Sequence, residues 1–351
     1  MKYFGKHAEL TELAVLIMAE DIEALEKKYM EGLNFNLPHK TTERTEVLPI
    51  NLALCENKLK VVGWLLSKKV ELNDKSHPSI IMAASNGGPK IVQKLIDHGA
   101  EVNVKDRIGK TAMNAALYGK KTDNISVLIS NGYKIHEDGV SLRQAVLDRQ
   151  YLAVNVLLEN NIDVNFHQPN MVFPNNPTAI AVAVENEDTK TVNLLLEHGA
   201  DITLKDDFGT RPYNIAARLK NHELMDLIKS LEPKEWHDEG QKIKDFKKYK
   251  LPESLLKLLA SENRRLKTSH QDVKYLEFSS ILSVKEVHWM NHVFLDLLCD
   301  VDNYSADGFL VWYPKKQCLA FADYEHEVFI ELCSMEEFIK DPAKQIEKIV
   351  G

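Results

Sequence analysis

The sequence holds four cysteines, Cys55, Cys299, Cys318 and Cys333, at unrelated spacings and with no CxxC pair. That scarcity excludes a disulfide framework or a zinc ribbon and points to buried thiols in a reducing, cytoplasmic setting. No apolar run approaches the roughly 18 residues of a membrane span, and the first thirty residues are too charged for a signal peptide. Gly-x-Ser-x-Gly is absent, and no glycine-rich phosphate loop follows a strand, since Asn86-Gly87-Gly88-Pro89 reads as a turn between helices. An excess of positive charge is lacking as well. The net charge is −8, which argues against a nucleic-acid binder working through phosphate neutralisation. What remains is an ordinary apolar content of 44% over 351 residues, enough for two packed units.

The chain repeats itself. The stretch 91–111 (IVQKLIDHGAEVNVKDRIGKT) returns at 191–211 (TVNLLLEHGADITLKDDFGTR). A self-similar register runs much further. Small residues stand at Ala53, Ala83, Ala116, Ala145, Ala183 and Ala216, with an aliphatic nine residues later at Val62, Val92, Ile125, Val154, Val192 and Met225. Twelve residues on stand Leu65, Leu95, Leu128, Leu157, Leu195 and Ile228. Residues three and four apart share a helix face, so this spacing predicts pairs of short helices stacked through alanine. Gly99 and Gly199 fit the left-handed position after a helix, as do Gly32 and Gly132 in weaker copies, with Asn161 as substitute. Asp106, Gly109 and Thr111, like Asp206, Gly209 and Thr210, build a projecting turn before the next helix. His98 and His198 occupy equivalent positions, so they serve the repeat and not a site.

This unit resembles the ankyrin repeat, a turn plus two helices of about 33 residues. The resemblance covers about residues 8–233 in six to seven units. It is strongest in the third and sixth units, and the helix start of the family appears only as Thr111-Ala112-Met113-Asn114 and Arg211-Pro212-Tyr213-Asn214. The first unit, about residues 8–36, departs from it as terminal repeats do. The resemblance implies a protein-binding surface along the projecting turns and the adjoining first helices. Transferred here, that surface offers Arg107, Ile108 and Lys110 in one turn and Asp207, Phe208 and Arg211 in another, and the long insertion 166–177 adds Met171 and Phe173. Arg and aromatic residues at such tips are hot-spot candidates; the alternative is that Ile108 and Phe208 pack between neighbouring turns.

The register ends near Pro233. Residues 234–250 are a charged linker or helix in which Glu235, Asp238, Glu239 and Asp245 interleave with the lysines, a pattern expected of a solvated face. Residues 251–351 follow a different grammar. Leu251-Pro252-Glu253 opens an amphipathic helix, Tyr275–Phe278, Phe309–Tyr313, Cys318–Ala322 and Val328–Leu332 read as strands, and Ser334-Met335-Glu336-Glu337 is a capping box. The capping box starts a terminal helix with Phe338, Ile339, Ile346 and Ile349 inward. The expected fold is therefore multi-domain, an all-α solenoid at 1–233 followed by a small α+β domain. Leu251-Pro252, the strand Gly308–Tyr313 and Ser334-x-Glu336-Glu337-Phe338-Ile339 make that domain similar to the SUKH superfamily, found largely in bacterial immunity proteins. The Asn-Gly that often ends the first helix of that family is replaced here by Ser261-Glu262-Asn263-Arg264.

Two clusters invite a chemical reading. His288-Trp-Met-Asn-His292 spaces two histidines to chelate a metal from one helix face, yet no Glu sits inside the motif, and an ordinary helix is the expectation. Asp323-Tyr324-Glu325-His326-Glu327 gathers three carboxylates and an imidazole, as a paired-carboxylate hydrolase would, but turns collect these residue types. Charge favours a third reading. From Thr268 to Gly351 there are 15 Asp/Glu against 7 Lys/Arg, a local net of −8, which suits Asp323, Tyr324, Glu325 and Glu327 to recognition of a basic protein. No catalytic residue, metal or cofactor is assigned. The expectation is a non-enzymatic protein, monomeric or weakly self-associating. The two resemblances together imply an immunity-type protein that neutralises a basic toxin domain, with a general scaffold or adaptor as one alternative and a hydrolase or metal-dependent activity in the C-terminal domain as another.

Overall fold

A computed structural model describes residues 10–42 and 45–350, so the opening of the first repeat at residues 8 and 9 lies outside the described residues. The chain divides into two compact units, Met1–Val164 and Asn165–Gly351. The first contains helices α1 (Glu12–Ala19), α2 (Ile22–Met30), α3 (Pro49–Cys55), α4 (Leu59–Ser67), α5 (Ser79–Asn86), α6 (Pro89–Asp97), α7 (Ala112–Tyr118), α8 (Thr122–Ser130), α9 (Val140–Leu147) and α10 (Tyr151–Glu159). Between its first two helix pairs stands a hairpin the sequence does not announce, β1 (His39–Thr42) with β2 (Thr45–Val47).

The second unit opens with two more helix pairs, α11 (Ala179–Glu185) with α12 (Thr189–Glu197) and α13 (Pro212–Arg218) with α14 (His222–Leu231). A 3-10 turn at Lys234–His237 leads into α15 (Glu239–Phe246) and α16 (Glu253–Ala260). Then come β3 (Arg265–Lys267), β4 (Tyr275–Phe278), β5 (Lys285–Trp289), β6 (His292–Asp296), β7 (Leu298–Val301), β8 (Val311–Tyr313), β9 (Cys318–Asp323) and β10 (Val328–Glu331). The terminal helices are α17 (Met335–Lys340) and α18 (Pro342–Val350).

Helices of seven to ten residues are too short to persist alone, so packing must hold them. The register explains how. All six marker alanines, Ala53 to Ala216, are wholly buried, as are the leucines Leu65 to Leu195 and Ile228 that follow them. In the last pair Met225 is only half-buried, and Leu224 beside it fills the seam. Local caps start the helices: Thr111 and Asn114 form a capping box at α7, while Thr178 and Asp188 accept from Ala181 N and Thr191 N. After the second helices the chain turns through left-handed backbone at Gly99 (φ +96°), Gly199 (φ +85°) and Asn161 (φ +57°), the residue types that tolerate it. His98 and His198 do the same work in both copies, each placing Nδ1 against the carbonyl four residues back, at 2.8 and 2.9 Å.

The α+β part of the second unit is built on a five-stranded antiparallel sheet in the order β10-β9-β8-β6-β5, beside a three-stranded sheet β3-β4-β7. Alternation gives the larger sheet two buried faces. One carries Leu295, Trp312 and Leu319 into a core with Leu255 and Leu259 of α16 and with Met335, Phe338 and Ile346. The other carries Val287, Phe294, Val311, Tyr313, Ala320 and Ala322, and Phe208 of the sixth repeat packs against it. The charged stretch 234–250 is not wholly solvated: Phe246 and Tyr249 join the first core, and Trp312 Nε1 donates to the Tyr249 carbonyl at 2.8 Å.

Two local expectations fail. The terminal helix breaks at Asp341, because Pro342 favours extended backbone in the residue before it, and Ile339 is left 45% exposed. His288 and His292 lie on a β-hairpin and not on a helix, paired in the register His288–Val293 and Trp289–His292.

If the alanine–leucine seam holds the stack, Leu128→Ala will cost about 2–5 kcal/mol and Ala116→Leu about 1–3 kcal/mol of unfolding free energy. Urea unfolding measures both. Changes within about 0.5 kcal/mol, as surface sites give, would contradict the seam.

Candidate protein-interaction surface

The projecting turn occurs in two copies with one architecture. In the third repeat Asp106 N donates to the Lys110 carbonyl, and Asp106 Oδ1 accepts from Ile108 N and Lys110 N at 3.0 and 2.9 Å. In the sixth, Asp206 N donates to the Thr210 carbonyl, and Asp206 Oδ1 accepts from Phe208 N and Thr210 N at 3.0 and 2.7 Å. An aspartate that closes its own loop makes a rigid tip with an apolar residue at its apex.

The two tips meet different fates. Ile108 is 74% exposed, next to exposed Arg107. Lys110 Nζ lies 5.0 Å from the ring centroid of Tyr118, itself 79% exposed. Phe208, by contrast, stacks on Tyr324 with ring centroids 4.2 Å apart and planes 17° from parallel. Gly209 has φ +70°, and a Cβ there would stand 2.5 Å from the Glu286 carbonyl of β5, so only glycine allows this approach. Asn214 Nδ2 donates to the Ser283 carbonyl at 2.6 Å, and Lys220 Nζ pairs with Glu277 at 3.0 Å. The sixth-repeat tip is therefore docked on the chain's own β-sheet.

A buried charge cluster sits beneath this contact. Lys285 Nζ lies 3.2 Å from Asp296 and 2.7 Å from Asp307, and 3.4 Å from Thr210 Oγ1 of the turn. Burial works against the Lys285 charge, but Asp296 and Asp307 outweigh it and hold its pKa above the ordinary lysine value. Burial pushes Asp296 up to about 6, with Lys285 resisting. It also raises Tyr324, whose hydroxyl, like Asp296 Oδ1, has no hydrogen-bond partner among the described residues.

The expected surface thus resolves into three groups. Arg107 and Ile108 stand open with half-buried Lys110 and with Tyr118, which sequence reasoning missed because its exposure depends on where α7 ends. Met171 is 90% exposed on the insertion, while Phe173 is 6% exposed and anchors it through an Asn170 turn that accepts from Val172 N and Phe173 N. Phe208 and Tyr324 cover each other. Arg211 is buried against Glu232 at 2.7 Å, because it caps α13 and does not project from the turn. Asp207 is exposed but tied to the insertion through Asn175 and Asn176.

At the hairpin tip Glu325 and Glu327 are exposed. Asp323 is committed locally, accepting from Glu325 N and His326 N at 3.0 Å and pairing with His326 at 2.8 Å. The hydrogen bonds from His326 lower its pKa, the reverse of what a general acid needs. His288 and His292 point to opposite faces, His288 to Glu286 and His292 into a stack on Phe329 at 4.1 Å. Among the described residues no group of His, Cys, Asp and Glu is arranged to hold a metal ion. Burial raises Cys299 and Cys333 to about 11, so neither thiol is activated. No helix of the described residues is long and apolar enough to cross a membrane.

The family model described as ankyrin repeats matches three overlapping stretches, residues 50–138, 80–168 and 142–235. The chain belongs to the ankyrin-repeat family. Ankyrin arrays are in general non-catalytic and bind other proteins, so the repeats make this chain a protein-interaction scaffold. It is similar to the mitochondrial disaggregase of Bos taurus, 27% identical over 158 residues that cover 44% of this chain and 23% of the relative. A putative ankyrin repeat protein of Fowlpox virus is 26% identical over 181 residues, 51% of this chain and 25% of the relative. Another from Rickettsia bellii is 25% identical over 151 residues, 42% and 58% of the two chains. The chain thus spans less than two thirds of the length of each. Among solved structures the ankyrin repeat domain of Bcl-3 is 24% identical, with a TM-score of 0.45 over 51% of this chain and 84% of that one.

The cluster under the sixth-repeat tip gives a stability test. Lys285→Met will cost about 3–5 kcal/mol, since it strands the buried Asp296 carboxylate. The pH dependence has a definite sign. A carboxyl whose folded pKa is raised contributes stability at low pH and loses it as pH rises through that value. With Lys285 gone Asp296 moves above 6, so the deficit will grow between pH 5 and pH 8. Urea midpoints across that range check this, and a deficit that shrank with pH would refute it.

Proposed function

We propose that this ankyrin-repeat protein is a non-enzymatic scaffold that captures a protein partner on the third-repeat turn. The supporting observation is the duplicated tip. In the sixth repeat the tip is engaged by a folded β-sheet through an aromatic stack, a glycine contact and a side-chain-to-carbonyl hydrogen bond. The same turn in the third repeat presents Ile108 and Arg107 bare, with Lys110 and Tyr118 beside them, a mix of apolar, aromatic and cationic groups that suits a hot spot. Met171, 90% exposed on the insertion, is a separate candidate. We take residues 1–233 as the array, 234–250 as the connector and 251–351 as the α+β domain, in a cytoplasmic protein that is a monomer or a weak oligomer.

A second reading concerns the partner. The −8 balance from Thr268 onward, with Glu325 and Glu327 exposed at the β9–β10 tip, supports recognition of a basic protein. The helix after Leu251-Pro252 and the Ser334 capping box keep the resemblance to the SUKH immunity proteins in view, and with it a toxin-neutralising role.

Immobilised full-length protein, incubated with extract of its native host, will retain a partner that Ile108→Asp with Tyr118→Ala loses at least about tenfold, as loss of a hot spot implies. Equal retention by the two proteins would overturn the surface, and stoichiometric zinc or manganese in the purified protein would overturn the non-enzymatic reading. A basic partner will show a further loss with Glu325→Lys and Glu327→Lys, and its binding will weaken with salt.

A further inference from the structure

Beside the sixth repeat lies a cavity of about 560 Å³, lined by Lys205, Arg211, Glu235, Trp236, Gln241, Lys242 and Asp245. Its size falls in the range of small-molecule sites, roughly 300–1,000 Å³. The lining comes from three places: the repeat turn, the cap of α13, and the 3-10 turn with α15. None of these residues belongs to the interaction surface proposed above except Arg211, which is withdrawn from it by burial.

Arg211 is the decisive group. It is 5% exposed, donates from Nε to Glu232 Oε1 at 2.7 Å, and reaches Asn214 Oδ1 from Nη1 at 3.5 Å. Its Nη2 has no partner among the described residues, a costly state for a buried guanidinium. The guanidinium is held in place by rings, with Cζ 5.3 Å from Tyr213 and 5.1 Å from Trp236. The other oxygen of Glu232, Oε2, pairs with His237 Nε2 at 2.8 Å. Lys242 is half-buried on α15 with Nζ 5.5 Å from the Phe246 ring, and Lys205 stands exposed just before the turn. Burial, then Arg211 and Lys205, lower the Lys242 pKa, with Asp245 and Glu232 opposing. Asp245 Oδ1 accepts from Gln241 Nε2 at 2.8 Å, and with Glu235 it supplies the carboxylates of the lining.

We propose that this cavity binds the phosphoryl group of a small phosphorylated polyol, with Lys205, Arg211 and Lys242 on the phosphoryl oxygens and Glu235 and Asp245 accepting from hydroxyls. Arg offers a planar donor fork and Lys a point charge, the usual pairing for a phosphoryl oxyanion. The carboxylates select against an acidic polymer and for a neutral hydroxylated body.

Calorimetric titration of the full chain with inorganic phosphate and with glucose 6-phosphate tests this, with glucose, and with acetate at matched ionic strength, as controls. The expected result is saturable binding of both phosphates, tighter for glucose 6-phosphate, and at least tenfold weaker binding by Lys205→Gln with Lys242→Gln. The unliganded melting temperature of the double variant will show that it folds. No saturable phosphate binding, equal binding by the variant, or equal binding of acetate would overturn the proposal.

Discussion

Close approach of helices at one small residue per repeat is the constraint on which the rest depends. Ala53, Ala83, Ala116, Ala145, Ala183 and Ala216 have no accessible surface, so a larger side chain at any of them would push neighbouring helices apart. Because helices this short cannot stand alone, each repeat draws its stability from its neighbours, and the outermost repeat must find a cover. For the last repeat, α13 with α14, that cover is the α+β domain. Its turn presses on the sheet through Gly209 and Phe208, and its first helix donates through Asn214 to Ser283. A repeat that would otherwise need a polar cap instead shares a core with a different fold.

That arrangement explains the placement of charge inside the second unit. A buried lysine between two aspartates contributes little net stability when intact, yet removing one partner is costly. One ammonium, that of Lys285, joins Asp296 and Asp307 to Thr210 of the turn. Arg211 with Glu232 and His237 does the corresponding work where the repeats end, tying the cap of α13 to the first residues beyond α14. Both clusters sit where apolar packing alone would tolerate a slip between a solenoid and a sheet.

Periodicity made the repeats readable from sequence, because a residue's burial there follows from its place in the unit. The marker alanines and leucines, the left-handed Gly99, Gly199 and Asn161, and the paired His98 and His198 are all of this kind. What lay out of reach were contacts set by partners distant in sequence. Phe208 looks like Ile108 in every local respect, and only the arrival of Tyr324, more than a hundred residues later, separates them. Arg211 reads as a turn residue until Glu232 is seen to bury it. The histidines at 288 and 292 carry helical spacing by coincidence, and the β-register sends them to opposite faces. The hairpin β1–β2 leaves little trace because its strands are short and polar, held by Thr11 donating to the Thr41 carbonyl.

The contrast between the two tips also bears on how such a surface is used. Docking of the sixth-repeat tip leaves the Asp206 loop closed by the same three hydrogen bonds as the open Asp106 loop, so the tip meets the sheet without changing its own backbone pattern. A preorganised element forfeits less conformational entropy on binding than a flexible one, and its affinity then depends on what it meets. At the sixth repeat it meets an aromatic face and the Glu286 carbonyl of β5, an edge strand whose outer side has no strand partner among the described residues. A partner for the third-repeat tip should offer the same combination, an aromatic or apolar face to receive Ile108 beside free backbone acceptors, with acidic groups placed for Arg107 and Lys110. The chain's own domain is thus the best available template for the surface its array would recognise.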